Sequence, residues 1–327
     1  MRRLAALGLI GWLLGAAPAL AADTLVIQAA PVLLHPNEPG RQSLDRLRYR
    51  GGLVLTASDG RFGGLSDLRV SSDGTRIVAV SDRGHWLEGT LRYDAHGQLA
   101  GVAAARLGPL PDFFGNPLRG PAGDAEGLAV YPDGSLLVSY ERRHRLWLYP
   151  ASDPPFNQPP RVVPLPRRAS AMPENGGIEA LLRLAGGRLL ALSEDLMEGG
   201  DRVGWIGDGI AWEELRYRAG RDFKPTGMAQ FPADTIHAGD VLVLERRFTV
   251  LDGPGARITR LRRSAIRPGA TLEGEELAIL RQPSTIDNFE GIAIARGPRG
   301  ETLVYLLSDD NFSMWQRTLL LMFELAP

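Results

Sequence analysis

The sequence contains no cysteine at all. That single absence removes disulfides, thiol catalysis, thiolate zinc sites and iron–sulfur clusters together. Lysine occurs once, at Lys224, so the positive charge is almost entirely arginine. Histidine is scarce, limited to His35, His85, His96, His144 and His237. A formal net charge of −1 gives no electrostatic footprint for nucleic acid or an anionic membrane. Beyond the first 21 residues no apolar run is long enough to cross a bilayer. Residues 1–21 themselves read as a secretory signal. Arg2 and Arg3 form the charged start, Leu4 to Ala17 the apolar run, and Ala19-Leu20-Ala21 the cleavage site. The expectation is a soluble periplasmic or secreted protein whose single domain begins at residue 22.

What is present in quantity is strand signal. Short apolar runs are bounded by Asp-Gly, Gly-Gly and proline-containing turns, and no long segment has a 3.6-residue period. Leu189 to Leu192, Val241 to Leu244 and Leu303 to Leu307 are continuously apolar, and Leu136 to Tyr140 is so but for Ser139, as suits strands buried on both faces. Pro150 to Pro173 reads as a long surface connection.

The strands recur as a repeat. Glu126-Gly127-Leu128 leads through the turn Asp133-Gly134 to Glu141, and Glu179 leads through Gly186-Gly187 to Glu194, 15 residues in each case. Looser copies open at Ser66, Thr226 and Glu290 and close at Asp82, Glu245 and Asp309. The start of the first strand of a hairpin and the end of the second share one edge, so every repeat delivers its charged residues to one rim. Repeats 47 to 64 residues apart have the spacing of propeller blades. An all-β propeller of five or six blades of antiparallel strands is expected. Thr24 to Leu34 and Arg46 to Ala57 either complete the last blade or form a degenerate extra one.

The motifs Asp287-Asn288-Phe289-Glu290-Gly291, Ser308-Asp309-Asp310-Asn311-Phe312-Ser313 and Gln316-Arg317-Thr318-Leu319 closely resemble the bacterial phytase-like family, often labelled "esterase-like activity of phytase". Further matching pieces are Ser81-Asp82-Arg83-Gly84, Asp124-Ala125-Glu126-Gly127, Gly177-Ile178-Glu179-Ala180 and Leu244-Glu245-Arg246-Arg247-Phe248. The resemblance covers about residues 50–325 and implies an exported propeller. Its distant relation to calcium-dependent phytases suggests a metal-bridged phosphate site.

Clustered carboxylates suit a hard cation, calcium first. Glu126, Glu141, Glu179, Glu194, Glu245, Asp310 and Asn311 are the candidate ligands. Glu290, Asp309, Asp82, Arg83, Arg142 and Arg246 are the candidate catalytic groups, the arginines binding a phosphate ester or another anionic small molecule. The same charges equally suit inter-blade ion pairs, in which case the rim would only bind a ligand or a protein partner. A serine esterase would need Ser66 and His85 to meet; the G-x-S-x-G elbow is missing. Asp287-Asn288 is expected to shape a turn. Trp147, Trp205 and Trp212 are expected to pack between blades. Trp86 and Trp315 follow closing positions, where packing is favoured but a ligand could be flanked.

Overall fold

A computed structural model describes residues 22–326 of the chain. The secretory signal read at residues 1–21 lies outside them. The described residues form five sheets, antiparallel except where Thr271–Glu273 adds in parallel to Trp212–Arg218, arranged as a five-bladed β-propeller. The inner strands are Leu65–Val70, Ala125–Val130, Ile178–Arg183, Lys224–Gln230 and Asn288–Arg296, in blades 1 to 5. Each contacts the next and the fifth contacts the first, which closes the ring.

The second strands show why the fold is a ring of sheets. They include Leu136–Tyr140, Leu189–Glu198, Val241–Thr249 and Thr302–Asp309, which contain the four apolar runs. Alternate residues of a strand face opposite sides of its sheet. Leu242 and Leu244 therefore enter the core between blades 4 and 5, while Val241 and Val243 enter the core between blades 3 and 4. The same division sends Leu189 and Ala191 one way and Leu190 and Leu192 the other. The described residues form five such cores, one between each pair of neighbouring blades.

Closure comes from the N-terminal part. Leu47–Thr56 pairs with Thr318–Leu325, and Gln28–Pro31 pairs with Leu47–Thr56, so both complete blade 5. Asp23–Leu25 instead adds to the outer edge of blade 1. These strands fill existing blades and leave none for a sixth. The proline-rich connection is also more ordered than its composition implies, since Arg161–Val163 forms the outer strand of blade 2.

One irregularity is common to all five blades. The inner strand slips register at Ser66, Glu126, Glu179, Thr226 and Glu290, each a single unpaired residue opposite the second strand. These are the five opening positions of the repeat. A bulge turns its side chain out of the alternation and twists the strand locally. The following residue is Asp67, Gly127, Ala180, Gly227 or Gly291, because inner strands crowd one another at the axis. A Cβ added at Gly127 would lie 2.4 Å from the Glu179 carbonyl oxygen and 2.6 Å from Ser139 Oγ. Gly127→Ala is therefore expected to cost about 1–3 kcal/mol, read as a lower urea midpoint. An unchanged midpoint would mean that the two strands separate freely.

Asp67 is the exception and serves the axis differently. Its carboxylate accepts hydrogen bonds from Leu68 N at 2.7 Å and, across blades, from Leu128 N at 2.8 Å. It pairs with Arg69 at 2.9 Å. Arg69 then donates to the carbonyls of Leu68 at 2.7 Å, Ile292 at 3.2 Å and Leu181 at 2.8 Å. Two side chains of blade 1 thus tie it to blades 2, 3 and 5 and plug the central channel. Beneath the plug a cavity of about 190 Å³ is lined by inner-strand residues from all five blades. Burial drives the Asp67 carboxyl up to about 7 even beside its arginine.

Candidate functional site: an axial ring of carboxylates

The bulges and the strand ends beside them build one site at the channel mouth. In every blade the residue two before the bulge faces the closing residue of the second strand. The pairs are Gly64–Asp82, Asp124–Glu141, Gly177–Glu194, Lys224–Arg246 and Asn288–Asp309. This register corrects the fourth repeat. Its closing residue is Arg246, and Glu245 lies one residue out of phase, on the opposite face of the strand. Glu245 is fully buried between blades, where it accepts from Tyr217 Oη at 2.5 Å and pairs with Arg257 at 2.9 Å. Its oxygens are committed to the blade 3–4 interface, so it is not a ligand candidate.

Glu126, Glu141, Glu179 and Glu194, by contrast, come together. Oxygens of Asp124, Glu126 and Glu141 lie within 4.8 Å of one another, as do those of Glu141, Glu179 and Glu194. Glu141 belongs to both sets and is oriented by the backbone N–H groups of Gly176 and Gly177. Asp82, Glu290 and Asp309 flank the sets electrostatically.

Few cations balance these acids. Arg246 lies 3.0 Å from Glu194, 3.6 Å from Glu290 and 3.9 Å from Glu179. Lys224 pairs with Glu194 at 3.3 Å and Asp195 at 2.6 Å, and Arg142 with Asp124 at 2.5 Å. Glu126 has neither a hydrogen-bond nor an ion-pair partner among the described residues. Burial, reinforced by neighbouring carboxylates, pushes Glu126 and Glu179 well above the usual range. Burial likewise lifts Asp82 to about 6 and Glu290 to about 7. Asp309 rises to about 9, through burial and then the Glu290 charge.

Asp310 and Asn311 have other work. Asp310 accepts from Gly64 N at 2.9 Å, Phe312 N at 3.1 Å and Thr318 Oγ1 at 3.0 Å, which anchors its loop to blade 1. Asn311 is exposed, with a left-handed backbone (φ 48°) suited to a turn. Neither belongs to a set of converging carboxylates. The pair Asp287-Asn288 divides. Asp287 accepts from Asn288 N at 3.1 Å and from Arg317, so it shapes the loop. Asn288 joins the site, donating to Glu290 at 2.8 Å and accepting from Arg246 at 3.1 Å. Asp124, Lys224 and Asn288 were all missed as site residues. Their signal was present, since each stands two residues before an opening position.

Two grooves open beside the ring. The one between blades 1 and 2, about 700 Å³, is lined by Asp82, Asp124 and four arginines, Arg61, Arg83, Arg119 and Arg142. Arg83 stacks over the Phe312 ring, 3.3 Å from its centroid. His85 lines this groove too. Ser66 is buried and its hydroxyl reaches only the Gly64 carbonyl, at 3.5 Å, so no hydrogen bond joins it to His85. The groove between blades 4 and 5, about 850 Å³, runs past Arg246 to Trp315. The tryptophans divide as well. Trp86 and Trp205 are buried, Trp147 packs against Tyr140 and Phe113, and Trp315 stands exposed.

A family model described as "Phytase-like: Esterase-like activity of phytase" matches residues 60–312. No curated protein matches the chain in sequence. Among solved structures, the α-L-arabinofuranosidase PaAbf62A from Podospora anserina, in complex with cellotriose, gives a TM-score of 0.51 at 12% identity. That match covers 93% of this chain and 98% of the other. The Myceliophteria thermophila Cps50 (Swd1) β-propeller domain gives 0.40 at 11% identity, over 92% of this chain and 98% of that one. YCF48 bound to D1 peptide gives 0.38 at 10% identity, over 89% of this chain and 66% of that one. The likeness to the arabinofuranosidase extends to the fold alone.

Proposed function

The chain belongs to the phytase-like family, and we propose that it hydrolyses phosphate esters with a divalent cation held on its axial carboxylates. The observation that carries this reading is the excess of buried acid around Arg246, with Glu126 left unpaired among converging oxygens. Calcium takes six to eight oxygen ligands and tolerates irregular geometry, which fits an all-carboxylate set without thiol or imidazole. Asp124, Glu126 and Glu141, or Glu141, Glu179 and Glu194, would hold it. Bound there, a cation supplies charge stabilisation to a phosphoryl group and lowers the pKa of water.

The chain's own residues supply the rest. Arg83 and Arg142 line the groove that reaches Asp82 and Asp124, and they bind and orient the anionic phosphate. Glu290 and Asp309 lie outside both sets of converging carboxylates. Without a cation on the ring, burial and then the Glu290 charge lift Asp309 to about 9, which suits it to hold a proton for a departing alcohol oxygen. Glu290, near 7, is suited to accept a proton from attacking water.

The competing reading is a propeller that binds an anion without turning it over. The ion pairs of Arg142 with Asp124 and of Lys224 with Glu194 favour it, because they neutralise part of the ring with no ion needed. Phosphate release from phosphomonoesters, with calcium or with chelator, separates the two. Calcium-dependent release that falls about 10²-fold in Glu126→Gln is expected. No turnover of phosphate or carboxylic esters by folded protein would favour the binding propeller. Carboxylic-ester cleavage indifferent to chelator would overturn the metal-assisted reading.

A further inference from the structure

The groove between blades 4 and 5 combines charge and apolar surface in a way the other groove does not. Near the axis it is bounded by Arg246, whose guanidinium also contacts Glu194 and Glu290. Away from the axis it is bounded by Trp315 and Phe248, 87% and 74% exposed, with Pro254 and Ile286 also lining it. The blade 1–2 groove offers no aromatic side chain beyond the His85 imidazole.

An indole this exposed contributes little to the core, and among the described residues no aromatic ring is stacked on it. The loop that carries it is anchored on both sides. Asp310 fastens its start to Gly64, and Arg317 fastens its end to Asp287 at 3.2 Å. Trp315 is thus presented from a tied loop at the edge of a cavity large enough for a ring. Phe248 arrives from another blade, at the end of the strand that also carries Arg246. The spacing along that strand matters. Arg246 and Phe248 are two residues apart, so both side chains leave the same face of the sheet.

We propose that this groove receives the alcohol portion of the substrate, and that the preferred substrates are phosphate monoesters of aromatic alcohols. The proposal rests on the phosphate-ester reading above and adds the substrate class. The phosphate lies over the carboxylate ring, held by Arg83 and Arg142 from the blade 1–2 side, and the ester runs past Arg246 so that the aromatic ring lies against Trp315 and Phe248. Hydrolysis breaks the bond between phosphorus and the alcohol oxygen. Water supplies the new oxygen on phosphorus, and the released alcohol takes up a proton.

The test compares benzyl phosphate with ethyl phosphate, two alkyl leaving groups of similar basicity, so that intrinsic reactivity does not mimic recognition. The full chain should favour benzyl phosphate by about tenfold in kcat/KM. Trp315→Ala should bring the ratio close to one, and Trp315→Phe should restore most of the preference. A ratio that Trp315→Ala leaves intact overturns the proposal. Calorimetry with benzylphosphonate and ethylphosphonate, which do not turn over, keeps this question apart from the hydrolase reading. If no ester is cleaved yet benzylphosphonate binds about tenfold more tightly and loses that advantage in Trp315→Ala, the aromatic site stands and the hydrolase reading falls. Equal binding of the two phosphonates overturns the aromatic site whether or not esters are cleaved.

Discussion

In chelator, the protein is expected to lose stability as the pH is raised from about 5 to 8, and calcium is expected to restore it. The sign follows from the direction of the shifts. In an unfolded chain these carboxyls titrate near 4. In the folded protein burial and mutual repulsion lift Asp82 to about 6, Glu290 to about 7 and Asp309 to about 9. Between those limits the native state holds protons that the unfolded chain has released. Stability must therefore fall as the pH climbs from about 4 through the folded-state values. A cation on the ring replaces those protons as the source of positive charge, so its binding opposes the loss and is itself tighter at higher pH. At a concentration about 100 times its Kd, it would add roughly 2.7 kcal/mol, a rise of about 4 °C in Tm. Thermal unfolding at pH 5 and pH 8, with chelator and with calcium, reads all four states. A flat profile in chelator would show that the ring is already neutralised by Arg246, Lys224 and Arg142. Arg246→Gln should steepen the chelated profile, because it removes the one guanidinium placed among Glu179, Glu194 and Glu290.

Arg69→Met is expected to be among the most damaging single substitutions in the chain. It strands the fully buried Asp67 carboxylate and removes donors from the carbonyls of Leu68, Leu181 and Ile292. Breaking a buried pair on one side costs about 3–5 kcal/mol, because the surviving charge is left without a partner. Combining Arg69→Met with Asp67→Asn should recover part of the loss, since no charge then remains at the plug. The amide can still accept the Leu128 N–H that links blades 1 and 2. Urea unfolding of the two single variants and the double variant measures the coupling. Strictly additive losses would mean that the two side chains act separately and that the plug is not a unit.

The sequence carried the propeller because each second strand is buried on both faces, and continuous apolar runs such as Leu189 to Leu192 record that locally. It also carried the opening positions. Ser66, Glu126, Glu179, Thr226 and Glu290 all proved to be bulges, and a bulge followed by a small residue leaves a mark in the local pattern. Membership of the phytase-like family was legible in the same way, from contiguous motifs around those positions.

The tertiary structure decided what depends on pairing between distant segments. The number of blades hung on where Leu47–Thr56 pairs, and strands of similar composition do not state their partner. The fourth closing position hung on register. Ten residues separate Gln230 from Val241, so counting through that turn does not locate the residue opposite Lys224. One step decided whether the ring received Glu245 or Arg246, since adjacent residues on a strand face opposite sides. Arg69 could not be read from its neighbours either, because its carbonyl partners Leu181 and Ile292 come from other blades. Local chemistry is written in short stretches of chain, but a site on a propeller axis is assembled from five of them by backbone pairing.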